Sequence, residues 1–169
     1  MFNPKEHKDA IMFGLPELIF EVTLRPTLVD APHHKHISER VERFRGSIVH
    51  VTTESFEHVG QQVARDVVRH PGAVGVIALR PGPAGFQVLL VRQYRHPVGR
   101  YLWEIPAGLL DVHGEDLTAC ARRELREEAG YEAGELSLLL SCLPSPGGSD
   151  EVITVFFAWD PTPLAQREV

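Results

Sequence analysis

The sequence predicts a mixed α/β domain. Two observations carry this: an acid-rich helix that ends at Gly130, and apolar or β-branched stretches of strand length on both sides of it. The 169 residues, 43% of them hydrophobic, suffice for one good core. Residues 1–68 read as an arm followed by a small antiparallel sheet, and residues 69–169 as the main domain.

The first 36 residues are of mixed composition, broken by Pro4, Pro16, Pro26 and Pro32. The run His33-His34-Lys35-His36 could bind a transition metal, but in a Pro-flanked loop it reads as solvated and receives no function. Gly46 to Thr53 and Gln62 to Val68 carry alternating or β-branched residues and predict a first antiparallel pair. Ala73 to Leu79 and Phe86 to Tyr94 are stronger strands, separated by a Pro/Gly turn from Arg80 to Gly85. Leu102 to Ile105 is a short strand entering the loop at Gly108. The helix follows, and Leu136 to Leu143 and Val152 to Trp159 complete the strands.

Composition excludes several classes. A formal charge of −6 and a pI near 5.8 argue against general affinity for nucleic acid or an anionic membrane. No stretch has the length and apolarity of a membrane span, and the N-terminus lacks a basic-then-apolar signal pattern. Cys120 and Cys142 make neither a disulfide framework nor a zinc site; they read as reduced thiols in a cytoplasm, with Cys120 facing inward from the helix. Internal repeats and a GxxxxGK[ST] phosphate loop are both missing from the sequence.

The helix places three carboxylates, Glu124, Glu127 and Glu128, in five successive positions. At about 100° per residue they lie within roughly a third of a turn. Leu117, Ala121 and Leu125 fall on the same face, while Arg122, Arg123 and Arg126 lie on the other. An ordinary solvated helix points its acids away from its apolar residues. These acids also crowd the C-terminal turns before Gly130, where the helix dipole disfavours each by about 0.3–1 kcal/mol. A hard divalent cation such as Mg²⁺ or Mn²⁺, working beside a phosphate, would compensate. The plainer alternative pairs Glu124 and Glu128 with nearby arginines on a surface helix.

With Glu115 eight positions before Arg123 and a Gly-rich approach from Gly108, the segment resembles the signature of the Nudix hydrolase family: a glycine, a glutamate, then R-E-U-x-E-E-x-G-U with U apolar. Arg123, Glu124, Leu125, Glu127, Glu128, Gly130 and, loosely, Tyr131 occupy its positions. Six residues separate Gly108 from Glu115 where the signature has five; the extra one lies in the loop Leu110 to Gly114, so the register of the helical acids is untouched. The resemblance spans about Arg65 to Ala158. It implies a Nudix-type α/β/α sandwich with a mixed sheet, preceded here by the N-terminal arm and antiparallel strands. It also implies a further strand and closing helix after Ala158, where this chain has only Trp159 to Val169.

Four flanking segments, Arg65 to Ala73, Val91 to Pro97, Leu102 to Gly108 and Ser145 to Glu151, together look like the ADP-ribose pyrophosphatase subfamily. The resemblance then implies metal ligation by Glu124, Glu127, Glu128 and the backbone carbonyl of Ala107, with Mg²⁺ as the ion and Mn²⁺ as a substitute. Glu115 and Arg123 stand behind those ligands, Arg123 orienting a carboxylate; Glu115 would lie about 180° from Glu124 if the helix reached back that far. Glu151 resembles the general base, with Asp150 and Glu127 as rivals. Arg95 matches a substrate-binding arginine, Arg65 is a further candidate, and Arg69 and Arg92 are weaker ones. Adenine stacking falls to Phe20, Phe44 or Phe56, a choice left open. Residues 1–68 would dimerise and residues 69–169 catalyse, giving a homodimer with substrate at the interface.

The implied reaction is hydrolysis of ADP-ribose to AMP and ribose 5-phosphate. Two alternatives stand beside it. One is the same chemistry on another nucleoside diphosphate derivative, such as a nucleotide sugar, NADH or a dinucleoside polyphosphate. The other is a non-catalytic nucleotide-sensing module, which intact Glu124, Glu127 and Glu128 count against.

Overall fold

The structure is a computed structural model describing residues 9–15 and 30–165. Phe20 and most of the N-terminal arm lie outside the described residues. In chain order the elements are β1 (Asp9–Leu15), β2 (Ile37–Arg45), β3 (His50–His58), β4 (Gln61–Arg69), β5 (Ala73–Gly82), β6 (Gly85–Arg95), β7 (Arg100–Glu104), β8 (Ala107–Leu109), α1 (Leu117–Ala129), β9 (Tyr131–Glu132), β10 (Leu136–Cys142), β11 (Ile153–Trp159) and β12 (Thr162–Pro163). They divide into two compact units.

The first unit comprises Met1–Glu17, Gly72–Cys142 and Val152–Val169. Its main sheet runs β1-β6-β5-β11-β10, with β7 on β6 and β8 on β5. β11 pairs parallel to β5 while the other pairings are antiparallel, so the sheet is mixed. Central strands covered on both faces must be nearly continuously apolar. β5 and β11 are: Val74, Val76, Ala78, Phe156 and Ala158 are all buried. α1 packs Cys120, Ala121, Leu125 and Ala129 into the same core. Truncating Leu125 to Ala there would cost about 2–5 kcal/mol.

The helix has clear ends. Asp116 caps its start, accepting a bond of 2.9 Å from the Ala119 N–H, and Gly130, at φ 69°, closes it with its N–H donated to the Arg126 carbonyl. One expectation needs correction. Leu117, assigned to the inward face, is 40% exposed because it is the first helical residue. Glu115 lies before the cap, so helical arithmetic does not place it at all. Among the described residues, no helix is long and apolar enough to cross a membrane.

The second unit comprises Leu18–Pro71 and Leu143–Glu151. Its three-stranded antiparallel sheet has β3 between β2 and β4. The β3–β4 hairpin turns through Val59 and Gly60, at φ 51° and 73°, the sign a tight hairpin with right-handed strand twist requires. β2 is a strand where none was expected. Ile37, Val41 and Phe44 recur at spacings of four and three, and two register shifts against β3 break the alternation that marks a strand. The segment Leu143–Glu151 is tied to β4 by a parallel bridge between Val68 and Ser149.

Candidate active site

In the first unit the site is built where α1 crosses β8. Glu124 is 8% exposed, and its carboxylate lies over Gly108, where no side chain competes for the space. Burial pushes the pKa of Glu124 up; Arg123 pulls it down, while Glu128 and Glu127 push it further up, and the net shift is upward. Glu128 comes from the next turn and accepts a hydrogen bond of 3.0 Å from the Ala107 N–H. Two acids of one helix are thus seated on one short strand.

Arg123 faces a ring of acids. It meets Glu124 at 2.6 Å, Glu115 at 3.0 Å, Glu127 at 3.5 Å and Asp111 at 3.7 Å. Its bond to Glu115 and the charge of Glu124 raise its pKa despite burial, so it is a fixed cation. Cys120 lies against this group, its thiol pushed up to about 11 by burial, and is an inert core residue.

Among the described residues, no three His, Cys, Asp or Glu side chains form a ready-made cation cage. Glu124 turns to Arg123, Glu128 to the Ala107 N–H, and the Glu127 side chain is 52% exposed. The donor set nonetheless fits a hard divalent ion. Three carboxylates from adjacent turns supply only oxygen, the donor such an ion takes; burial is the main cause of the upward shift of Glu124, and repulsion from Glu128 and Glu127 adds to it.

Arg95, at the end of β6, is held by Glu104 at the end of β7. Its Nε and Nη2 donate to both carboxylate oxygens, at 2.9 and 2.5 Å for the shorter contacts. That bond raises the Arg95 pKa, and the charge of Glu128 adds to the effect. Arg95 is therefore within electrostatic reach of Glu128 on α1. Glu104 had no role in the sequence reading, although it sits in the segment Leu102 to Gly108 quoted there.

In the second unit, Glu151 places Oε1 3.5 Å from His70 Nδ1, and its N–H donates to Ser149 Oγ at 3.1 Å. Asp150 is engaged differently: Oδ2 accepts from Arg69 and Oδ1 from the His70 N–H, each at 2.9 Å. Burial raises the Asp150 pKa, but the Arg69 bond and the His70 N–H outweigh it and the net shift is down. Arg65 is exposed and donates to the Ala64 carbonyl at 2.8 Å. Arg92 instead stacks over Tyr101, 4.9 Å from the ring centroid. Phe44 is 58% exposed on β2, and Phe56 pairs with Ile37 on β3.

The chain is 46% identical to an ADP-ribose pyrophosphatase of Mycobacterium tuberculosis over 99 residues, 59% of this chain and 46% of that one. It is 37% identical to an ADP-ribose pyrophosphatase of Bacillus subtilis over 125 residues, 73% and 65% of the two chains. A GDP-mannose pyrophosphatase of Citrobacter koseri is 38% identical over 104 residues, 55% and 53%. The chain thus spans about half to two thirds of the length of these curated relatives. A crystal structure of an ADP compounds hydrolase superposes with a TM-score of 0.66 at 21% identity, covering 83% of this chain and 75% of that one, and so shares the fold. The NUDIX domain family matches residues 69–168, well over half of the sequence, and the chain belongs to that family.

Proposed function

We propose that this protein hydrolyses the diphosphate of ADP-ribose to AMP and ribose 5-phosphate in a Mg²⁺-dependent reaction. The observation that carries the proposal is the seating of Glu124 over Gly108 beside Glu128 on the Ala107 N–H, an oxygen-donor site. The names of the Mycobacterium tuberculosis and Bacillus subtilis relatives favour ADP-ribose among diphosphates.

Nudix hydrolases generally use divalent metal ions, and here Glu124, Glu127, Glu128 and the Ala107 carbonyl would hold Mg²⁺. When bound, the ion supplies positive charge against the diphosphate oxygens. Glu151 takes a proton from the attacking water. The water oxygen bonds to one phosphorus and the bridging P–O bond breaks, leaving a phosphate monoester on each side. Arg95, kept oriented by Glu104, binds the diphosphate or the terminal ribose, and Arg65 is a further substrate contact. Arg123 and Glu115 keep the helical acids in place. Residues 1–68 dimerise and residues 69–169 catalyse; a monomer by light scattering would remove that part of the proposal.

The test is ³¹P NMR of ADP-ribose with enzyme and Mg²⁺. AMP and ribose 5-phosphate should appear in equal amounts, without orthophosphate, and Arg95→Ala should raise KM by about 10–100-fold, the scale of losing a charge-assisted contact. Primary release of orthophosphate, or a preference for nucleoside triphosphates, would refute it. A nucleotide-sugar substrate is the second reading, favoured by the GDP-mannose pyrophosphatase relative, and GDP-mannose in the same assay decides between them.

A further inference from the structure

A buried carboxylate in the second unit belongs to no part of the mechanism above. Glu54, in the central strand β3, is 5% exposed. Its Oε1 accepts from Arg40 Nε at 2.8 Å, from Thr52 Oγ1 at 3.2 Å and from Arg69 Nη2. Burying a carboxylate is costly unless it is paired, and truncating one member of such a group strands the others. Burial raises the pKa of Glu54, but its bonds to Arg69 and Arg40 outweigh that and lower it.

Arg69 does not stop at Glu54. Its other terminal nitrogen reaches Asp150 Oδ2 at 2.9 Å, so one planar guanidinium joins the middle of the sheet to the residue next to Glu151. Main-chain bonds run in the same direction: the Val68 N–H donates to the Gly148 carbonyl at 2.8 Å, the Asp150 N–H to the Val68 carbonyl at 3.2 Å, and the His70 N–H to Asp150 Oδ1 at 2.9 Å. A loop with two glycines, Gly147 and Gly148, is thereby held against β4, with Ser149 bridged to Val68.

We infer that Glu54 is a positioning residue for Glu151, acting through Arg69 and Asp150 to hold the 145–151 loop in register with β4. The inference rests on the reading of Glu151 as the base that takes a proton from water. A base must stay within hydrogen-bond reach of that water, and small displacements are expensive. Glu54 is joined to Asp150 by way of Arg69, so its effect travels through the guanidinium.

The test combines hydrogen exchange with steady-state kinetics on the full chain. Glu54→Gln should lose amide protection at Val68, His70, Gly148 and Asp150, and should lower kcat by about 10–100-fold with KM and the Mg²⁺ requirement unchanged. Arg69→Ala should reproduce both effects, and the double variant should be no worse than the more impaired single one, because both cut the same link. If Glu54→Gln does not fold, Arg69→Ala, whose side chain is partly exposed, carries the test alone. Loop amides that stay protected, or a loosened loop with unchanged kcat, would overturn the inference. Full activity of Glu151→Gln would instead remove the base, whatever the exchange data show.

Discussion

A β-carbon on Gly108 would fall 1.9 Å from Cδ of Glu124 and within 2.3 Å of both its oxygens, so the missing side chain of one residue is the seat of the other's carboxylate. Gly108→Ala should therefore displace Glu124 even though it adds a single methyl group. Overpacking of this kind costs about 1–3 kcal/mol of stability. Turnover should fall by about a hundredfold, as for loss of a metal ligand's support. The loss should not add to that of Glu124→Gln, since both disable the same carboxylate. Additive losses would show that Gly108 matters for backbone conformation alone.

Glu128 offers the complementary case, because its bond to the Ala107 N–H survives as an amide. Glu128→Gln keeps an acceptor for that N–H and should fold normally. It should nevertheless bind Mg²⁺ more weakly and turn over at least about a hundredfold more slowly. Unchanged activity with unchanged metal dependence would make the acids of α1 structural and misplace the site.

The parts legible in the sequence were those with local period or punctuation. β5, β6 and β11 announced themselves by apolar runs between Pro/Gly turns, and α1 by its acids and terminal glycine. β2 did not, because two bulges break its alternation. β1 did not either: Asp9–Leu15 has no clear period and is an edge strand, ordered by pairing with β6. Glu124, Glu127 and Glu128 could be found by helical arithmetic because they are neighbours on one element. The Glu54–Arg69–Asp150 chain could not, since its partners lie 15 and 81 positions apart and meet only through the sheet.

Acid should loosen the second unit in a defined direction. Glu54 and Asp150 both have pKa values below their ordinary 4.5 and 3.8 in the folded protein. A depressed carboxylate stabilises the fold fully above its unfolded value and loses that contribution as pH falls through the folded one. Protection of the 145–151 loop should thus be flat from neutral pH down to about 4.5, then decline. Asp150→Asn should flatten part of that decline. A loss of protection beginning well above pH 5 would mean that a group other than these two carboxylates controls the loop.

Three carboxylates compete for the role of base, and their surroundings separate them. Asp150 spends one oxygen on Arg69 and the other on the His70 N–H, and its depressed pKa makes it a weak proton acceptor. Glu127 stands among the acids proposed to hold the metal and beside Arg123. Glu151 Oε1 lies 3.5 Å from His70 Nδ1, a longer contact than either of those that Asp150 makes. Glu151→Gln should lower kcat by about 10²–10⁴ with nearly unchanged KM, because it removes proton transfer while keeping shape and hydrogen bonding. Glu127→Gln should instead shift the Mg²⁺ requirement upward, as a ligand loss does. An equal kcat loss for Glu127→Gln, with none for Glu151→Gln, would move the base onto α1; a KM effect alone at Glu151 would make that residue a substrate contact.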